Sequence, residues 1–356
     1  MKTSAKKYKA AGVNIAAGDA ASSLAGKHAR TTFASRAGKI GKPAALPGGF
    51  AGALDFGEYY LTQCDDGTGT KMVIAEELKK YDTIGADLAA MVVDDAVCLG
   101  AECVSLSNTL DVPKVDAKII DPLLKGLAKA CKAQKVVIPG GEIAEVGKTV
   151  NGYVWNATAV GILDKKKLID GSKIKVGDAI IALQEKGLRS NGFSLARHIL
   201  EKQFGKGYAK KAAVVGGKKL KKSWGELLLI PSTVYHAAVL ELIGRYKAKR
   251  KVNVRGICHV TGGGIPGNLP RIFKANKKKL GASLPDLFPT PAWVKELIQL
   301  GKVSEAEARE VWNLGNGMLL VVPQKEVALA LRLLKKAGVK AKVAGEITGD
   351  GKINFS

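Results

Sequence analysis

The chain has 356 residues, 46% hydrophobic and 25% charged, a balance typical of soluble globular protein and a length at which two domains are the default. Its charge is abnormal: 56 Lys and Arg against 32 Asp and Glu give +24, which favours anionic partners. Five cysteines without a CxxC pair, no apolar run near the ~18 residues of a membrane span, and a Met1–Lys9 start without a signal-peptide core set aside zinc, disulfide, membrane and secreted classes in favour of a cytoplasmic protein.

Residues 1–50 read as a small-residue helical stretch ending in a turn-rich approach, Pro43 to Phe50. Next, Tyr59 to Thr62 has strand character and runs toward Asp65 and Asp66, the loop Gly67-Thr68-Gly69-Thr70, Lys71, and a helical pattern over Met72–Lys80. Small residues let backbone N–H groups approach phosphate, and a helix start adds partial positive charge. Paired carboxylates can hold Mg²⁺, which commonly takes one or two of them together with nucleotide phosphates. A tight turn, in which Asp and Gly are also favoured, remains an alternative.

Asp82 to Gly100 is apolar on nearly every side, the pattern of a buried helix, yet it carries Asp87, Asp94 and Asp95. Buried carboxylates need a cation or donors, so this helix is expected to bring further Mg²⁺ ligands. A short strand over Cys103–Leu106, a helix over Asp116–Gln134 and a strand over Val136–Ile138 follow. The last leads into the loop Pro139 to Glu145, where Gly141 and Glu142 suit close approach to a ligand. A strand over Val154–Leu163 precedes the charged boundary Asp164–Gly171, dividing the chain into residues 1–168 and 169–356.

The second half shows strands near 178–183, 254–260, 318–322 and 339–343, and helices near 193–203, 233–246, 291–300 and 325–337. The irregular alternation predicts an α+β fold with helices laid on one face of each sheet. Arg189-Ser190-Asn191-Gly192 sits before a helix, to cap it or to bind a ligand. Thr261-Gly262-Gly263-Gly264 costs backbone entropy that a phosphate-bearing substrate or tight packing would explain. His259 beside Cys258 reads as a packed core pair. The lysine runs 165–167, 210–211, 218–222, 247–251 and 277–279 have few interleaved aromatic residues, so they read as solvated charge and not as a specific nucleic-acid surface.

Together these pieces resemble the phosphoribosylformylglycinamidine cyclo-ligase (aminoimidazole ribonucleotide synthetase) family nearly end to end. The resemblance rests on Tyr8–Val13, Gly48-Gly49-Phe50, Asp66–Lys71, Tyr81–Leu88, Asp95 with Gly100-Ala101-Glu102, and Gly140-Gly141-Glu142. It continues in Ser190–Leu195, Thr261–Gly264, and Asn313 with Gly315, Gly317 and Met318. It implies two domains, with the N-terminal sheets of two subunits pairing into a β-barrel in a homodimer and the C-terminal sheet covered by helices. ATP with Mg²⁺ would drive closure of a ribonucleotide's ring. Asp66, Lys71, Asp95 and Glu142 are then the expected catalytic residues. Asp66, Gly67, Gly69, Thr70, Lys71, Asp95, Asn108, Gly141 and Glu142 would bind nucleotide, and Asp66, Asp94 and Asp95 would hold metal. Arg189, Ser190, Asn191 and Thr261–Gly264 would hold the ribonucleotide.

The chain departs from the family pattern at Asp65 (usually Thr), Asp94 (Asn), Cys103 (Pro), Asn108 (Asp), Ile143 (Thr) and Arg189 (His). Asp65 or Asp94 would restore the charge that Asn108 removes, and Arg189 would hold phosphate bidentately. Selenophosphate synthetase and thiamine-monophosphate kinase types are the alternatives within the superfamily. A weakened, basic binding paralogue is the alternative outside enzymes.

Overall fold

The structure, a computed structural model, describes residues 6–46 and 48–356. Met1–Ala5 of the basic start and Pro47 of the turn-rich approach lie outside the described residues. Helices α1 (Lys6–Ala10) and α2 (Ile15–Thr31) precede the first sheet. Its strands are β1 (Lys42–Pro43), β2 (Gly52–Asp55), β3 (Tyr59–Gly67), β4 (Glu102–Val112), β5 (Gly141–Glu145) and β6 (Val154–Asp164), in the order β1-β2-β3-β6-β4-β5. Three helices belong to this half: α3 (Lys71–Leu78), α4 (Ile84–Cys98) and α5 (Ala117–Gln134).

One face of this sheet is covered and the other is open. Along β4, Cys103, Leu106, Asn108, Leu110 and Val112 are buried while Ser107 and Thr109 are exposed, the period of two expected of a half-covered strand. Leu88, Val92 and Ala96 of α4 pack into the same core as Leu106, Leu110 and Trp155. Where α4 meets α5 the backbones nearly touch, since a Cβ on Gly85 would lie 2.0 Å from the Leu127 nitrogen.

The second half contains β7 (Ala179–Gln184), α6 (Phe193–Phe204), β8 (Ala212–Val215), β9 (Lys218–Ser223), α7 (Trp224–Leu228), α8 (His236–Ile243), β10 (Gly256–His259) and α9 (Gly264–Asn268). It continues with β11 (Gly281–Ser283), α10 (Ala292–Leu300), α11 (Glu305–Val311), β12 (Asn316–Val322), α12 (Val327–Lys336), β13 (Ala341–Thr348) and β14 (Ile353–Asn354). Its main sheet runs β10-β12-β7-β13-β11-β14. Every residue of β12 is buried, because this sheet is covered on both faces. Ile181, Leu183, Leu320 and Val322 face α8 and α12, while Ile180, Ala182, Leu319 and Val321 face Leu269 and Ile272. The expectation of helices on one face therefore holds for the first sheet and not for the second. The largest core joins the halves, combining α4 and α5 with Phe193, Trp224, Trp293 and Trp312.

Several boundaries move. β3 continues through Asp65 and Asp66, because its register with β6 extends to Gly67↔Asn156. β4 runs on to Val112, its outward Ser and Thr residues having masked the alternation. The segment Val136–Ile138 makes only an isolated bridge from Val137 to Ser105, and the strand is instead Gly141–Glu145, parallel to β4. The lysines of 218–222 form one strand of the β8–β9 hairpin.

Candidate active site

Strand register fixes the first part of the site. Asp66, Ala157, Asn108 and Gly141 lie in one row across β3, β6, β4 and β5. Ala157 and Asn108 are buried, so this row points to the face that α4 covers. Asp65 occupies the next row with Thr158 and Ser107, on the open face, where Thr158 donates its hydroxyl to Asp65 Oδ1. A depression of about 380 Å³ over these strands is lined by residues 65–67, 107–109 and 156–158, from both rows. Asp65 and Asn108 thus belong to opposite faces, and one does not make up for the other. The Asn108 Oδ1 accepts from Trp155 Nε1 at 2.9 Å, which turns its amide nitrogen toward Gly141.

Asp66 Oδ1 accepts from the Gly67 N–H at 2.7 Å. Burial, with the charge of Asp95 adding, pushes the Asp66 carboxyl up to about 6, against that backbone bond and the pull of Arg189. Asp95 is pushed by burial to about 7, with Arg271 and Arg189 pulling the other way. The charge of Asp95 reaches Asp66, and two such half-buried carboxylates are donors that a divalent cation would relieve.

The other two acidic residues of α4 have different work, and this corrects their assignment as metal ligands. One residue on a helix turns the side chain by about 100°, so Asp94 points away from Asp95. Asp94 Oδ1 accepts from the N–H groups of Tyr235 and His236 at 2.8 and 2.9 Å, holding the start of α8, and Oδ2 accepts from Arg189 Nη2 at 2.8 Å. Both oxygens are spent on interior donors. Asp87 Oδ1 accepts from Lys71 Nζ at 2.7 Å and from the Ser232 N–H and hydroxyl.

Lys71 and Arg189 are corrected for the same reason. The Lys71 ammonium is fully buried and also donates to the carbonyls of Arg189 (3.2 Å) and Ile230 (2.8 Å), so its hydrogens are committed across the two halves and not to a phosphate. The Arg189 guanidinium is buried between Glu185, Asp94, the Thr233 carbonyl and His259; only its Nε lacks a partner, and at 1% exposure it presents no edge for bidentate phosphate binding. Two departures from the family pattern, Asp94 and Arg189, are therefore the two ends of one buried ion pair. Glu142 pairs with Thr109 on the edge strand and is exposed, three strand spacings or about 14 Å across the sheet from Asp66.

Three loops from distant parts of the chain do meet. A Cβ on Gly69 would lie 3.6 Å from the Ser190 carbonyl, and the Thr70 and Ser194 hydroxyls are 3.4 Å apart. A Cβ on Gly262 would lie 3.5 Å from Asn191 Nδ2. Ser190 Oγ and Asn191 Oδ1 are buried with no hydrogen-bond partner, the signature of polar groups set for a ligand. The triple glycine divides its roles. A Cβ on Gly264, at φ 57°, would meet the Arg309 carbonyl at 1.8 Å, so packing dictates that glycine, whereas a Cβ on Gly262 would meet only Asn191 Nδ2, at 3.5 Å.

Sequence reasoning missed His259 and Arg271. His259 Nδ1 lies 2.7 Å from Asp95 Oδ1, and Arg271 stacks over Phe50 at 3.9 Å while donating to the Gly49 carbonyl. No spacing announces either contact. The one signal for His259 is its place at the end of β10, immediately before the glycine loop.

The carboxylates set a pH dependence. Because their folded pKa values lie above the ordinary value of about 3.9, the fold favours the neutral forms. That contribution is complete below about pH 4 and is lost as pH rises through about 6 and about 7. A cation must displace those protons, so Mg²⁺–ATP affinity should climb over the same interval and level off above it. Calorimetric titration at about pH 5.5, 6.5 and 7.5 checks this, and a flat profile would contradict it.

Comparison with known proteins identifies the family. Residues 48–163 match the family described as AIR synthase related protein, N-terminal domain, and residues 175–356 match its C-terminal domain. The chain is 39% identical to the phosphoribosylformylglycinamidine cyclo-ligase of Thermococcus kodakarensis, over 86% of this chain and 85% of that protein. It is 37% identical to that of Sorangium cellulosum, over 98% and 97%. In fold it is similar to the hydrogenase maturation protein HypE solved in complex with ATP, with a TM-score of 0.57 at 17% identity, over 82% of this chain and 77% of that one. Matched by family models in both halves and by relatives 37–39% identical over most of its length, the chain belongs to the phosphoribosylformylglycinamidine cyclo-ligase family.

Proposed function

We propose that this protein is an ATP-dependent ligase that closes formylglycinamidine ribonucleotide to aminoimidazole ribonucleotide, releasing ADP and phosphate, in purine biosynthesis. The observation that carries this is the meeting of the Gly67–Thr70, Ser190–Asn191 and Thr261–Gly263 loops, with two buried and unpartnered polar atoms, beside the Asp66–Asp95 pair. Catalysis of phosphoryl transfer is mostly positioning and charge neutralisation, which is what such a site provides. Asp66 and Asp95 would hold Mg²⁺, whose chemistry when bound is to neutralise triphosphate charge. Gly67, Gly69 and Thr70 offer close backbone approach to nucleotide, and Asn108 and Gly141 continue that row. Ser190, Asn191 and Thr261–Gly263 orient the ribonucleotide so that its amidine nitrogen faces the formyl carbon activated by phosphorylation.

The same reading takes residues 1–168 as the nucleotide and pairing domain and 169–356 as the substrate domain. The open face of the first sheet, which exposes Val154, would receive a second copy to close a barrel. No helix among the described residues is long and apolar enough to cross a membrane, in keeping with a cytoplasmic enzyme. The test is phosphate release from ATP and Mg²⁺ with and without formylglycinamidine ribonucleotide. Release that depends on the ribonucleotide is expected, and release independent of it would count against the proposal.

A further inference from the structure

We infer that Arg189 is a positioning residue which locks His259 as the Nδ1–H tautomer and, through that ring, aims the Asp95 carboxylate into the site. The inference rests on the reading of Asp66 and Asp95 as the metal–nucleotide pair.

The hydrogen count decides the tautomer. Arginine nitrogens are donors only, and the group stays protonated in proteins. Arg189 Nη1 donates to Glu185 Oε2 at 3.2 Å and to the Thr233 carbonyl at 2.8 Å. The two hydrogens of Nη2 serve two close acceptors at 2.8 Å, Asp94 Oδ2 and His259 Nε2, with the Ala90 carbonyl more distant at 3.3 Å. His259 Nε2 must therefore accept. A ring that accepts at Nε2 carries its hydrogen on Nδ1, and Nδ1 lies 2.7 Å from Asp95 Oδ1. An imidazolium would set an N–H against the guanidinium 2.8 Å away.

The arrangement is held from several sides. Arg189 has φ 59°, a left-handed conformation uncommon outside glycine, and it persists where the surroundings fix it. Phe50 leans on the His259 ring at 6.5 Å and is itself covered by Arg271. His259 is fully buried, whereas the Asp95 side chain keeps 14% exposure. One Asp95 oxygen is thus tethered and the other is left for a ligand. Asp94 and Glu185 hold the guanidinium in place, so it directs the His259 ring as a fixed charged donor while the imidazole itself stays neutral.

Two measurements test this. Long-range ¹H–¹⁵N spectra of the whole protein, with the His259 signal assigned as the one lost in His259→Gln, should show a protonated Nδ1 and an unprotonated Nε2. An Nε2–H ring or an imidazolium would overturn the lock. His259→Asn places an amide N–H near the Nδ1 position, while His259→Gln reaches only the Nε2 position. Mg²⁺–ATP affinity by calorimetry should be largely rescued in the Asn variant and fall about 10- to 100-fold in the Gln variant, at similar thermal midpoints. Equal affinities, or affinities that track the midpoints, would overturn the positioning role. A wild-type protein with the stated tautomer that binds no Mg²⁺–ATP would overturn the nucleotide reading of Asp95 and leave the lock standing.

Discussion

Asp66→Asn should abolish Mg²⁺-dependent ATP binding while leaving the fold as stable as before, or more so. The substitution keeps the shape of the side chain and its acceptor for the Gly67 N–H, so β3 and its turn lose nothing. It removes a carboxylate that burial and Asp95 hold near pKa 6, and whose ionised form at neutral pH the ligand-free fold disfavours. Relief of that cost should show as an unchanged or raised thermal midpoint. A direct metal ligand matters at least as much as an outer-shell partner, so a loss of about 100-fold or more in metal–nucleotide affinity is expected. The midpoint gain that saturating Mg²⁺–ATP gives the wild-type protein should vanish with it. Unchanged nucleotide affinity would remove Asp66 from the site. A drop in midpoint without ligand would show that the carboxylate is structural.

What the sequence revealed and what it hid follow from one distinction. Residue type was legible, and direction was not. Small-residue loops announce close approach, and the three that meet beside Asp66 were all visible as Gly67–Thr70, Ser190–Asn191 and Thr261–Gly264. Buried carboxylates on α4 were visible too, because an apolar helix has no cheap place for them. Which way each one pointed was not visible. Asp94 and Asp95 are neighbours in sequence, yet one secures Tyr235, His236 and Arg189 while the other meets His259. Lys71 follows a loop of phosphate-binding type and nonetheless turns inward to residues 16, 118 and 159 positions away. Strand ends failed where polar residues belong to a sheet for tertiary reasons. Asp65 and Asp66 have poor strand propensity, but pairing with Thr158 and Ala157 holds them in β3. Likewise the lysines of β9 read as a charge run because their pairing partner, β8, is only four residues long and only partly buried.

Lys71→Met is the variant that separates a rivet from a phosphate ligand. The Lys71–Asp87 pair is fully buried, with N and O 2.7 Å apart. Burial pushes the Lys71 pKa down and that of Asp87 up, and each charge opposes the shift of the other. Such a pair is no better than well-packed apolar residues, yet breaking it from one side strands a charge and costs about 3–5 kcal/mol. Met fills the volume and removes the ammonium, leaving Asp87 with Ser232 alone and the Arg189 and Ile230 carbonyls without their donor. The urea midpoint should fall accordingly with little change in slope. Adding Asp87→Asn removes the stranded charge while keeping an acceptor for Ser232, so the double variant should regain part of the loss, a coupling of opposite sign to simple addition. A lysine that served phosphates would behave otherwise. Its removal would spare the urea midpoint and weaken ATP binding, and Asp87→Asn would restore nothing. Because Lys71 ties α3 to loops at 189 and 230, its loss should also loosen the contact between the Gly69 and Ser190 loops. Any fall in substrate affinity should then follow stability, and return with it in the double variant.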